Sequence, residues 1–122
     1  MKVHHIALRT ADPEALAAFY TSMLDLPVVR RQLPRSIWLG LEDAVLMIER
    51  AEPGEPGVAE GDLHLLALAV DAPTQARLRA RLAAAGVPLD GETAFTLYLR
   101  DPDGRRVGLS TYPLRELDQP SA

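Results

Sequence analysis

Apolar positions change period several times along the first 50 residues, then do so again in the same order. His4-His5-Ile6-Ala7-Leu8-Arg9 has the alternation of a strand. From Ala15 to Leu24, Leu16, Phe19, Tyr20, Met23 and Leu24 fall at helical spacing. Asp12 suits the N-cap of that helix and Pro13 its first position. Short strand-like runs follow near Val28–Leu33, Ser36–Leu41 and Ala44–Arg50.

About 60 positions later the series restarts, a period that signals duplication of a single unit. His64-Leu65-Leu66-Ala67-Leu68-Ala69 echoes the opening strand, and Asp71-Ala72-Pro73 echoes Asp12-Pro13. Thr74–Ala85 predicts a second helix, with Leu78 and Leu82 inward and Arg77, Arg79 and Arg81 outward. Gly86 supplies its left-handed stop, and Asp25 holds the matching slot in the first half. Further strands are expected near Pro88–Gly91, Ala94–Arg100 and Arg105–Tyr112, the last two joined by a turn at Asp101-Pro102-Asp103-Gly104.

This pattern predicts an α+β fold of two tandem βαβββ modules whose mixed sheets curve around a cleft. The chain is read as a single domain over residues 1–122, with modules at 1–50 and 62–112, a Pro- and Gly-rich linker at 51–61 and a tail at 113–122. Composition narrows the chemistry. Net charge is -4, which argues against a nucleic-acid partner, and the arginines of the second helix read as a solvated face. With no cysteine, thiolate chemistry and disulfides are excluded. No apolar run is long enough to span a membrane and no signal segment opens the chain, so the expected location is cytoplasmic. Nucleophile-elbow and phosphate-loop motifs are also missing from the sequence.

His5-Ile6-Ala7-Leu8 before Asp12, Phe19-Tyr20 with Leu24 and Leu26, Ala67-Leu68-Ala69-Val70-Asp71, and Tyr98-Leu99-Arg100-Asp101-Pro102-Asp103-Gly104 occur in the order and spacing of the vicinal oxygen chelate superfamily. The chain resembles that superfamily, which includes glyoxalase I, fosfomycin-resistance enzymes, methylmalonyl-CoA epimerase, extradiol dioxygenases and bleomycin-resistance proteins. The resemblance implies a cleft for a small molecule, a homodimer, and a divalent metal held by four strand positions. Those positions fall here on His5, Met47, Leu65 and Gly108. If Ala67 and Ala69 face the cleft as Ala7 and Arg9 do, Leu65 shares that face and His64 points away, unless a β-bulge intervenes.

One imidazole among Met47, Leu65 and Gly108 is a poor donor set for zinc or for a hard cation. The favoured reading is therefore a small-molecule-binding protein without the full metal site and with no cofactor. Its cleft would be lined by His5, Arg9, Trp38, Met47, Tyr98, Arg100, Ser110 and Tyr112, with Thr96 and Glu49 on the same face. The alternative is a metal-dependent lyase, isomerase or dioxygenase that holds Zn, Ni, Mn or Fe through His5, Glu49 and His64. Tyr98 and Glu49 are then the candidate catalytic groups. A third reading is an accessory module whose cleft is closed by its own side chains. For each residue a plain structural role competes: packing for Trp38 and His64, a solvated charge for Glu49, Arg9 and Arg100.

Overall fold

A computed structural model describes residues 1–114, so the expected tail lies almost wholly outside the described residues. The elements are β1 (His5–Thr10), α1 (Pro13–Leu24), β2 (Val28–Gln32), β3 (Ser36–Gly40), β4 (Val45–Arg50), β5 (Leu65–Ala69), α2 (Ala72–Ala84), β6 (Leu89–Glu92), β7 (Thr96–Arg100) and β8 (Arg106–Ser110). They form two four-stranded sheets of identical topology, β1-β4-β3-β2 and β5-β8-β7-β6. In each, the strand before the helix pairs in parallel with the last strand of its module, and the other pairings are antiparallel. The tandem βαβββ architecture is thus present.

Two compact units result. One comprises residues 1–62 with the 101–105 turn; the other begins at Leu63, omits that turn and resumes at Arg106. The sequence repeat assigns the turn to the second module, whereas its contacts group it with the first unit.

Both helices begin for the same local reason. Asp12 accepts a hydrogen bond from the Ala15 amide at 3.1 Å, and Asp71 accepts one from the Thr74 amide at 2.8 Å, each with proline in the first turn. They stop differently. Asp25 caps α1 with φ of 59°, while α2 runs through Ala85 to Gly86, where φ is 74°.

In the first unit α1 covers one sheet face, burying Leu16, Tyr20 and Leu24 with Leu8, Ile37, Leu39, Leu46 and Ile48. In the second, Leu78 and Leu82 of α2 are buried, as are Leu97, Leu99, Val107 and Leu109. Each such side chain contributes about 1.5–3 kcal/mol on burial, so the layer between helix and sheet carries the fold. The opposite faces are left free to vary.

A polar contact is buried inside the first unit. The Tyr20 hydroxyl donates to Asp101 Oδ2 at 2.7 Å, and Arg105 Nη1 donates to the same oxygen at 2.7 Å. Asp101 Oδ1 accepts the Asp103 and Arg105 amides at 2.9 and 3.0 Å, and Arg105 Nη2 reaches the Arg9 carbonyl at 3.0 Å. Burial, reinforced by the adjacent carboxylate, pushes the Tyr20 hydroxyl far above the ordinary phenol range, so it stays a neutral donor. Every oxygen of this buried carboxylate is therefore satisfied, which is what permits its burial. Among the described residues no helix is long and apolar enough to cross a membrane.

Candidate functional site

Cross-strand partners lie on one face of a sheet. The registers therefore define three rows on each helix-free face, successive rows lying roughly 7 Å apart along the strands. In the first sheet they are Arg9, Glu49, Ser36 and Gln32; then Ala7, Met47, Trp38 and Arg30; then His5, Val45 and Gly40. In the second sheet they are Ala69, Ser110 and Thr96; then Ala67, Gly108, Tyr98 and Gly91; then Leu65, Arg106 and Arg100.

The first face brings together His5, Arg9, Trp38, Met47 and Glu49. Trp38 is half-buried in mid-face; its Nε1 donates to Ser36 Oγ at 3.1 Å and the Arg30 guanidinium lies 5.0 Å from its ring centre. Arg9 forms a two-pronged pair with Glu55, Nε to Oε2 at 3.0 Å and Nη2 to Oε1 at 2.7 Å, and Glu49 stands 4.0 Å from its other nitrogen. The hydrogen bond from Arg9 holds the Glu55 carboxyl below the usual carboxylate range. These residues border a cleft of about 960 Å³ between the strand ends and the Ala51–Val58 segment, lined by Arg9, Glu49, Arg50 and Glu55 among others.

His5 is exposed, with its Nδ1 2.9 Å from the Nδ1 of His4. Glu49 is opposite Arg9, four residues along from His5 and roughly 13 Å away. The register thus separates two of the three donors considered for a rebuilt metal site. His64, the third, precedes β5 and lies outside the row that Leu65 begins.

On the second face Thr96 Oγ1 donates to Ser110 Oγ at 2.9 Å. Tyr98 lies under the guanidinium of Arg106, 4.0 Å from the ring centre. Asp90 Oδ2 accepts from Arg106 Nε at 3.0 Å and Arg100 Nε at 3.1 Å; these bonds, that from Arg106 first, hold its carboxyl below the ordinary range. Tyr112 falls beyond the end of β8, edge-on to Phe95 at 5.2 Å.

The four positions at which the resemblance implies metal ligands offer one imidazole, one thioether and no third donor. Gly108 has no side chain to donate, and its surroundings are apolar. A Cβ placed there would meet Thr96 Cγ2 at 3.2 Å, a tight contact, and Ala67 Cβ and Leu65 Cδ1 at 3.5 Å, in ordinary contact. A thioether is a soft ligand, ill suited to hard or borderline divalent ions. This donor set does not fit a divalent metal.

Sequence reasoning passed over Arg30, Arg106, Asp90 and Glu55. Alternation back from Gly108 reaches Arg106, so that signal was present. Asp90 had none, because it sits at a register shift between Leu89 and Gly91, and such a bulge re-aims a side chain. Glu55 meets Arg9 across 46 positions of sequence.

The family model of the Glyoxalase/Bleomycin resistance protein/Dioxygenase superfamily matches residues 2–109. No curated protein matches the chain. Several solved structures resemble it. A lactoylglutathione lyase from Agrobacterium tumefaciens is 20% identical, with TM-score 0.67 over 89% of this chain and 92% of its own. Fosfomycin resistance protein FosX from Mesorhizobium loti is 20% identical, with TM-score 0.73 over 94% and 95%. A possible glyoxalase from Bacillus cereus is 16% identical, with TM-score 0.74 over 90% and 98%. At these identities the likeness is one of fold.

Proposed function

The chain belongs to the glyoxalase, bleomycin resistance protein and dioxygenase superfamily, and on that premise we propose that it binds a small molecule without the superfamily's metal. The observation that carries this reading is Gly108, which has no side-chain donor and stands among the apolar groups of Thr96, Ala67 and Leu65. Leu65 and Met47 add no hard ligand.

Binding then relies on the helix-free faces themselves. On the first sheet Trp38 and Met47 offer an apolar, polarisable surface with an imidazole one row away; on the second, the Tyr98 ring offers an aromatic surface with the hydroxyls of Thr96 and Ser110 as its own polar handles. A few fixed polar groups on a largely apolar surface orient a small ligand. Such a protein sequesters its ligand and leaves it chemically unchanged.

Elemental analysis of the purified chain tests the metal half of the proposal. Less than a tenth of an equivalent of Zn, Ni, Mn or Fe is expected, together with a melting temperature that neither these ions nor a chelator moves. One equivalent of metal, lost in His5→Ala, would reverse the conclusion. Trp38 is the sole tryptophan, so quenching of its emission by a candidate ligand, lost in Met47→Ala, tests the binding half.

The retained His5 favours a second reading, a metal-dependent lyase, isomerase or dioxygenase. That reading requires two further donors beside His5, whereas Glu49 of the same sheet stands roughly 13 Å away, and the same elemental analysis separates it from the first.

A further inference from the structure

The third row of the second sheet carries two charges of one sign, Arg100 and Arg106, whereas the charged row of the first sheet pairs Arg9 with Glu49. Arg106 is fixed on three sides: Nε is bonded to Asp90, its plane lies over Tyr98, and its strand is held between β5 and β7. Only 22% of its side chain is exposed. Its Nη1 and Nη2 nevertheless form no hydrogen bond with a described residue.

Gly91 stands beside them, its φ of 143° outside the range that side chains favour. Only a Cβ would fit there in ordinary contact, 3.6 Å from Arg106 Nη2, and anything longer would cover that nitrogen. One carboxylate, Asp90, serves both Arg100 and Arg106, and the nearby Glu92 is paired with Arg79 at 2.6 Å. A guanidinium with its rotamer already fixed and its outer edge uncovered loses little entropy when it captures a second anion.

Between this row and the Thr96–Ser110 hydroxyls lies the row Ala67, Gly108, Tyr98 and Gly91, in which only the tyrosine ring stands up. The two polar rims are roughly 13 Å apart along the strands.

We propose that Arg106 anchors an anionic oxygen group, a carboxylate or a phosphate, at one end of a small ligand lying across this row. The ligand's body rests against Tyr98 and its far end reaches the Thr96 and Ser110 hydroxyls. This rests on the ligand-binding reading above and gives the ligand a charge and a direction. A bidentate guanidinium pair is the matching chemistry for either anion.

The test is an NMR titration of the full chain with benzoate, phenyl phosphate and neutral benzamide, following the Arg106 Nε–H and the amides of Gly91 and Gly108. Saturable shifts at these positions are expected with at least one anion, and at least tenfold weaker binding of benzamide. Preference between the anions identifies which oxygen group is taken. Arg106→Gln should weaken the anion at least tenfold and abolish its preference over benzamide, and Arg106→Lys should fall between, because lysine keeps the charge but not the fork.

Shifts that ignore charge, or that map away from Arg106, overturn the anchor and leave small-molecule binding standing. So does an absence of shifts with all three probes while a neutral ligand still quenches Trp38. Stoichiometric metal dependent on His5 removes the underlying reading instead. The wild-type shifts carry the test even if a variant fails to fold.

Discussion

The third rows of the two sheets occupy the same place in duplicated scaffolds and have opposite characters. In the first unit the row is His5, Val45 and Gly40; in the second it is Leu65, Arg106 and Arg100. Each edge strand has a register shift at the matching point, after Val28 in one and after Leu89 in the other. The residue inside the shift is Val29 in the first case, and a Cβ on Gly40 would meet its methyl at 3.1 Å. In the second it is Asp90, held between two guanidiniums. One backbone irregularity thus aims a methyl group on one side of the duplication and a carboxylate on the other. Charge balance differs as well. Arg9 faces two carboxylates, Glu49 and Glu55, whereas Asp90 faces two arginines.

The largest effect that probes this contrast concerns how each unit uses its ion pairs. Asp101 is completely buried and Arg105 nearly so, whereas the pairs of Asp90 lie near the surface. Asp101→Ala should destabilise the protein by about 3–5 kcal/mol, because it removes the acceptor shared by Arg105 Nη1 and the buried Tyr20 hydroxyl. Asp90→Ala should barely move the urea midpoint. Equal losses in the two variants would dissolve the distinction.

A smaller effect is expected for Tyr20→Phe, about 1.5–3 kcal/mol, the value of a hydrogen bond to a charged group. Urea unfolding measures it, and a double variant with Asp101→Ala should lose less than the sum of the two.

The helix stops come next. A Cβ on Gly86 would touch nothing, so Gly86→Ala isolates the left-handed backbone penalty, about 1–2 kcal/mol. An unchanged melting temperature would mean that α2 ends elsewhere.

The smallest effect is the dependence on pH. Glu55 and Asp90 both have carboxyls depressed by arginine hydrogen bonds in the folded state. Their contributions are present above the ordinary carboxylate values, about 4.3 and 3.9, and fade as pH falls through the lower folded values. Urea midpoints measured from pH 7 down to pH 2.5 should therefore fall below about pH 4. Arg9→Gln should flatten that decline through Glu55 and Arg106→Gln through Asp90; acid profiles that coincide with wild type would show that these pairs do not couple to folding.

The element order, the Asp12 N-cap, the turn at Asp101–Gly104 and the parity of the strands were legible in the sequence. Each depends on neighbours a few positions apart: an aspartate ahead of a proline, or every second residue apolar. Parity placed Trp38 with Met47, and Tyr98 with Ser110, on the same sides of their sheets.

Amino-acid order by itself determined the duplication, the two helices and the eight strands. Tertiary structure alone decided that Tyr20 closes on Asp101, that Glu55 neutralises Arg9, and that Asp90 leaves its strand's alternation to join Arg100 with Arg106. Periodicity records which way a side chain leaves a regular strand. It holds no information about partners 46 or 81 positions away, or about the single residue where a bulge breaks the period.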